Sequence, residues 1–332
     1  MVSLSIIRSS NSHISALAPG LVAIFVGATS GIGEITLKKF AEYAQQPRIY
    51  FIGRSQDAAD RITAECKVTN PAGEYIFLRR DVSLINSVDE VCDEIMAKEK
   101  VVNLLFLSVG VPSLDRSQTP ENLHLLAALN YYSRLRFITN LLPLLKHAPF
   151  LRRIVTVGGG TQEGPLDQSD FPALRVPLPD LRGHLSTLIT LGLEAVARTV
   201  PEVGFVHDFP GTVKTPLTRA VLSNMSEEQL SALTFVPLEE SGERHLYLAT
   251  SARFPAFKKG RDGVQLEKEL DVAIGTTGES GSGMYSLGFD CESASPSVQE
   301  LLATLREKGM VEEIWRHTQD EFKRITQLDK EL

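Results

Sequence analysis

Three glycines and one arginine carry the first chemistry legible in this chain. Gly27, Gly31 and Gly33 follow the apolar run Leu21 to Val26 and precede a helical pattern with Ile35, Leu37 and Phe40 on its apolar positions. A strand, a glycine turn and a helix in that order offer what a dinucleotide pyrophosphate requires. Glycines let the backbone approach the phosphates, and the helix start supplies unpaired N–H groups and the positive end of its dipole. A second apolar run, Arg48 to Gly53, stops at Arg54-Ser55, about 20 residues past the last glycine, where such folds read the adenosine ribose. An acid at this place accepts from a 2′-hydroxyl and repels a 2′-phosphate. This chain has Gly53 and Arg54 instead, and a guanidinium pairs with a phosphate through two hydrogen bonds. NADP is therefore expected in preference to NAD.

The elements that must position these residues alternate. Helices are expected over 57–69 and 86–99, with a third strand in EYIFLRRDVS and a fourth in VVNLLFLSVG. Residues 119–147 read as one long helix, and RRIVTV as a fifth strand that runs into Gly158-Gly159-Gly160. A further helix, a sixth strand from Val203 to Phe209, a helix over 239–252 and a seventh strand in MYSLGFD follow. Strands alternating with helices of this length predict an α/β fold: one doubly wound domain with a mostly parallel seven-stranded sheet. An N-terminal arm over 1–20, a domain over 21–290 and a C-terminal helical extension over 291–332 complete the division. The proline- and acid-rich stretch 161–179 and the variable stretch 216–237 are expected to cover a substrate. Residues 258–282, charged and glycine-rich, read as a surface excursion.

Composition bounds the partners. Of 332 residues 43% are hydrophobic, and the formal net charge is −7 with no basic stripe, which argues against nucleic acid. No apolar run approaches the length of a membrane span. Residues 1–20 lack a signal-peptide core, being interrupted by Arg8, Asn11 and His13. Cys66, Cys92 and Cys291 are too dispersed for a metal site or disulfide framework. A cytoplasmic protein with reduced thiols and a small-molecule substrate is expected, with no metal; homo-oligomerisation is left open.

The strings GATSGIG (27–33) and FPGTVKTPL (209–217) resemble the short-chain dehydrogenase/reductase family. The resemblance implies a Rossmann-type domain that binds the cofactor through Gly27, Thr29, Ser30, Gly31, Ile32 and Gly33. It implies an adenine contact from Asp81-Val82 beside Arg54 and Ser55, with Ser108 and Gly110 where the family carries Asn-Asn-Ala-Gly. It also implies that Pro210, Gly211, Val213 and Thr215 border the nicotinamide, and that Asn130 is the active-site asparagine. The chain then departs from the pattern. The family's serine position falls within the triple glycine, and no Tyr-x-x-x-Lys occurs in the helix that follows; His184 takes the tyrosine position and Leu188 the lysine position. His184, or a water held by Asn130, is thus the expected proton donor. Together with NYYSRLRFI and EGPLD, these strings look like a fungal subgroup that accompanies secondary-metabolite pathways. Three readings stay open: an NADP(H)-dependent reductase with a substituted proton donor, a non-redox isomerase, dehydratase or cyclase, and a cofactor-binding protein without catalysis.

Overall fold

The computed structural model describes residues 1–112, 115–223, 225–258 and 263–328, with no side-chain account of 220, 221 and 328. Parts of the 216–237 stretch, the 258–282 excursion and the last four residues of the tail lie outside the described residues.

Seven strands form one sheet: β1 (Val22–Val26), β2 (Arg48–Gly53), β3 (Glu74–Arg79), β4 (Leu104–Leu107), β5 (Arg153–Val157), β6 (Gly204–Asp208) and, after a small parallel pair β7 (Thr212–Val213) and β8 (Phe235–Val236), β9 (Met284–Leu287). Their spatial order is β3-β2-β1-β4-β5-β6-β9, and every neighbouring pair is parallel. The parallel pairing is what the alternation of strands and helices predicts, and β1, β4 and β5 are buried along their whole length, as a sheet covered on both faces demands. Alternate side chains divide between two cores. Ile24, Val26, Tyr50, Leu105 and Ile154 pack under the helices Ile85–Lys98, Ser133–Lys146 and Leu178–Ala197 and the tail. Ala23, Phe25, Phe51, Phe106 and Val155 pack under the helices Gly31–Tyr43, Gln56–Thr69 and Leu238–Thr250 and the N-terminal arm.

One feature departs from the sequence reading. The long helix expected over 119–147 begins at Leu125 and is interrupted by a π-helical stretch, Ala128–Tyr132, before Ser133–Lys146. The tail is two helices, Pro296–Glu307 and Met310–Leu328. The second of them braces the π-helical stretch: the Tyr131 hydroxyl donates to Thr318 Oγ1 (2.5 Å), and the Tyr132 hydroxyl lies 2.7 Å from His317 Nε2.

The segment 161–179 is packed against the body. Asp170 accepts from the backbone N–H of Leu174, Arg175 and Val176, and Arg116 donates to the carbonyls of Ala173 and Val176. His184 is fully buried beneath this segment. Its Nδ1 accepts from the Asp167 N–H (3.1 Å) and its Nε2 donates to the Phe171 carbonyl (3.2 Å), an arrangement that uses both nitrogens of a neutral ring. Burial lowers its pKa, only partly offset by the Phe171 carbonyl. Replacing His184 by Phe leaves that N–H and carbonyl unpaired and is expected to lower unfolding free energy by about 1–3 kcal/mol. Urea denaturation measures this; an unchanged midpoint would contradict the pinning role.

A second buried histidine behaves oppositely. His245 Nδ1 donates to the Ser241 carbonyl (2.6 Å), and Nε2 lies 3.0 Å from Asp208 Oδ2, an ion-pair contact that is not a well-aligned hydrogen bond. Burial opposes the charged imidazole, but the Asp208 carboxylate outweighs it and the pKa is raised. A raised folded pKa means that the contribution is complete below the unfolded value of about 6.5 and is lost as pH rises through the folded one. The stability difference between the wild type and His245→Gln should therefore shrink from pH 6 toward pH 9. A pH-independent difference in denaturant titrations would show that the imidazole carries no charge.

Candidate functional site

The strand order reverses between β1 and β4, and a crevice opens there at the carboxyl ends of the strands, where open α/β sheets bind ligands. The cleft has a volume of about 460 Å³. Its centre is the glycine turn. Gly27 and Gly31 have φ of +81° and +61°, which favour glycine. A Cβ on Gly33 would run into Ser108 Oγ and stand 2.7 Å from the Gly27 carbonyl oxygen, so only glycine lets the helix Gly31–Tyr43 start this close to the ends of β1 and β4. Ser108 Oγ itself donates to the Val26 carbonyl (3.2 Å). Ser30 caps the helix with extended backbone, but its hydroxyl makes no capping bond. The first-turn N–H groups and this hydroxyl face the place where a pyrophosphate would lie.

One end of the cleft is bordered by Gly53, Arg54, Arg80, Asp81 and Val82. Arg54 is exposed and has no hydrogen-bond or ion-pair partner among the described residues. Arg80 donates to Glu90 Oε2 (3.2 Å) and to the Arg79 carbonyl. Asp81 Oδ1 accepts from the Ser83 N–H, which shapes the turn after β3. Ser55 is not in the cleft; it caps the helix Gln56–Thr69 by accepting from the Ala58 N–H. A Cβ on Gly53 would meet Thr29, so an acidic side chain has no room there.

The other end is built from Gly110, Asn130, Arg134, Val157, Gly158, Pro210, Gly211, Val213 and Thr215, with Leu217 and Thr218 at the rim. Thr215 and Thr218 bond to each other's hydroxyl and backbone, holding the turn after β7. Asn130 Nδ2 donates to the Leu126 carbonyl (2.9 Å), and its Oδ1 accepts from Arg134 (3.4 Å). Arg134 is only 2% exposed. Nε donates to the Leu129 carbonyl (3.2 Å), one terminal nitrogen to the Val157 carbonyl (2.6 Å) and the other to the Val109 carbonyl (2.5 Å). Burial lowers its pKa to about 10, with Asp208 working the other way, and it stays charged at neutral pH.

Behind this end lies a buried hydrogen-bond network. The Gly159 N–H donates to His207 Nε2 (2.9 Å), and His207 Nδ1 donates to Thr190 Oγ1 (2.8 Å). Thr190 and Ser286 donate to Glu163 Oε1 (both 2.7 Å), and Ser286 accepts from the Thr161 N–H. Burial pushes the His207 pKa down to about 3, and Arg134 adds to the shift. The network fixes the Gly158–Gly160 turn. A Cβ on Gly158 would stand 3.0 Å from His207 Nε2, and one on Gly160 would run into the backbone of His207.

The structure thus brings the predicted Gly27, Thr29, Ser30, Gly31, Ile32, Gly33, Arg54, Asp81, Val82, Ser108, Gly110, Asn130, Pro210, Gly211, Val213 and Thr215 to one cleft. It leaves out Ser55 and His184, the latter because its ring turns into the 161–179 segment. No residue of that segment lines the cleft, whereas Pro216, Leu217 and Thr218 of the 216–237 stretch do. Arg80, Arg134 and the His207 network went unread as site groups. An arginine one helical turn after Asn130 and ahead of the core residues Phe137, Ile138 and Leu141 was the available signal for Arg134.

Among the described residues no helix is long and apolar enough to cross a membrane. Residues 21–165 match the family model for short chain dehydrogenases. Oxidoreductase AN1596 of Emericella nidulans is 40% identical over 96% of this chain and 97% of the relative. Oxidoreductase andH of Emericella variicolor is 35% identical over 98% of each. Among solved structures, YwfH, titled an NADPH dependent reductase involved in bacilysin biosynthesis, shares the fold at a TM-score of 0.57 and 16% identity, over 81% of this chain and 100% of that one. A short-chain dehydrogenase from Sphingobium yanoikuyae in complex with NADPH does so at 0.52 and 15%, over 68% of this chain and 83% of that one. With a relative 40% identical along nearly its whole length and a glycine turn set at the switch point of its sheet, this chain belongs to the short-chain dehydrogenase/reductase family.

Proposed function

We propose that the cleft binds NADP(H) and that the protein is an oxidoreductase reducing a carbonyl of a small secondary-metabolite intermediate. The observation that carries the reading is the pairing of an unobstructed helix N-terminus with an exposed Arg54, without a partner among the described residues, at the ribose end of the same cleft. Three of the four charged residues lining it are arginines, in a chain whose net charge is −7. The residues present fit a phosphorylated dinucleotide. The turn Gly27–Gly33 takes the pyrophosphate and Arg54 with Arg80 the 2′-phosphate. Asp81-Val82 lies at the adenine, and Pro210–Thr215 with Asn130 borders the nicotinamide. The names of fungal relatives and the NADPH in neighbouring folds support the same cofactor and setting.

Bound there, a reduced nicotinamide supplies hydride. The chain's part is to orient the ring against Pro210 and Val213, to exclude bulk water with Leu217 at the rim, and to hold charge at Arg134. No tyrosine, lysine or histidine is among the described residues lining the cleft, and the Asn130 amide is committed to Leu126 and Arg134. Water at the cleft mouth therefore provides the proton. The same lack of a side-chain acid favours a second reading, a non-redox isomerase, dehydratase or cyclase on this scaffold. Following reduced-nicotinamide absorbance during turnover separates the two: consumption supports reduction, and product formation without it supports the second.

Replacing Arg54 by Ala is expected to weaken NADPH binding by about 10–100-fold, the equivalent of about 1.5–3 kcal/mol for hydrogen bonds to a charged group, and to leave NADH nearly unchanged. Fluorescence titration of both nucleotides decides this; equal losses would remove Arg54 from the 2′-phosphate. Gly31→Val should abolish binding of both nucleotides in a folded chain, because the added branch occupies the approach to the helix start and its Cβ stands 3.2 Å from Thr215. Retained NADPH affinity in that variant would displace the pyrophosphate from this turn.

A further inference from the structure

The charge at the inner end of the cleft has a consequence for which redox form of a nicotinamide the protein holds. Arg134 is the one charged side chain among the described residues lining that end. All four of its hydrogen-bond acceptors are neutral: the carbonyls of Leu129, Val109 and Val157, and the amide oxygen of Asn130. These dipoles solvate the guanidinium without cancelling its charge. Asp208, the carboxylate that acts on Arg134, is paired with His245, and Glu163 accepts from Thr190 and Ser286. Val109 and Val157 follow or end β4 and β5, so the cation sits where the carboxyl ends of these strands meet the cleft. Burial keeps solvent from screening it.

The two ends of the cleft assign themselves. Arg54 and Asp81 occupy the adenosine end and the glycine turn the middle, so the nicotinamide falls at the Arg134 end. An oxidised nicotinamide ring is a cation, and a reduced one is neutral. We propose that Arg134 makes this cleft select the reduced, uncharged nicotinamide over the oxidised, cationic one. The inference rests on the dinucleotide reading above and adds to it a preference between redox forms. A cleft of this kind takes up the reduced form and expels the oxidised form, which suits reduction over oxidation.

The test is the ratio of dissociation constants for NADP⁺ and NADPH, measured by titration calorimetry on the purified protein at neutral pH, with no substrate present. A unit charge within about 10 Å at an effective dielectric of about 20 changes a binding constant about tenfold or more. The wild type should therefore bind NADPH at least about tenfold more tightly. Arg134→Met should bring the ratio toward one, chiefly by strengthening NADP⁺ relative to NADPH, and Arg134→Lys should keep it. Asn130→Asp puts a carboxylate against the guanidinium without emptying the buried site, and should also lower the ratio, so the test stands even where Arg134→Met fails to fold. A wild-type ratio near one or inverted, or neutralised variants that keep the wild-type ratio, would overturn the proposal. Failure of the wild type to bind either nucleotide would instead overturn the dinucleotide reading itself.

Discussion

The whole arrangement depends on how closely one helix approaches the ends of two strands. The helix Gly31–Tyr43 starts where a Cβ at Gly33 would collide with Ser108 and with the Gly27 carbonyl. That closeness sets the β1–β4 crevice, aims the helix's unpaired N–H groups into it, and places Thr215 against Gly31 on the opposite wall. The sheet supplies the rigidity. Six parallel strands, β1 to β6, end at the cleft, and all but the edge strand β3 are held between two cores, so small displacements of the turn are resisted.

The inner end of the cleft is organised by a charge, the buried guanidinium of Arg134. Arg134 collects carbonyl oxygens from the ends of β4 and β5 and from the π-helical stretch, tying three elements to one guanidinium. A buried cation is costly unless its donors are satisfied, and this one is satisfied by three backbone carbonyls and the Asn130 amide oxygen. The His207 network plays the complementary part for the triple glycine: burial keeps the histidine uncharged, and raises the Glu163 pKa against the hydrogen bonds from Ser286 and Thr190. Stiffness at Gly158 comes from hydrogen bonds, and the field in the cleft comes from Arg134.

The strands and the glycine turn were legible because their signals are local: apolar runs of strand length, a glycine spacing, an arginine at the end of β2. The start of the 119–147 helix was misread because Thr119 and His124 satisfy their backbone in an antiparallel bridge and a turn instead, which apolar periodicity does not report. The π-helical stretch was equally silent, since one extra residue per turn leaves the apolar pattern intact on either side. His184 illustrates a different limit. It lies on the helix Leu178–Ala197, but the direction of its ring is decided by the 161–179 segment, whose course depends on Asp170 and Arg116 far from any motif. Arg134 stood in plain view on the face of Asn130, and only the tertiary structure shows that its guanidinium ends at the cleft.

The brace between the last helix and the π-helical stretch bears on the timing of folding. Every cleft-lining residue precedes position 219, whereas Thr318 and His317, which hold Tyr131 and Tyr132, come about a hundred residues later. The chain leaves the ribosome N-terminus first, so the glycine turn and the first six strands of the sheet emerge well before the helix that braces Tyr131 and Tyr132. The adenosine half of the cleft is assembled from early chain, and the inner half waits for late chain.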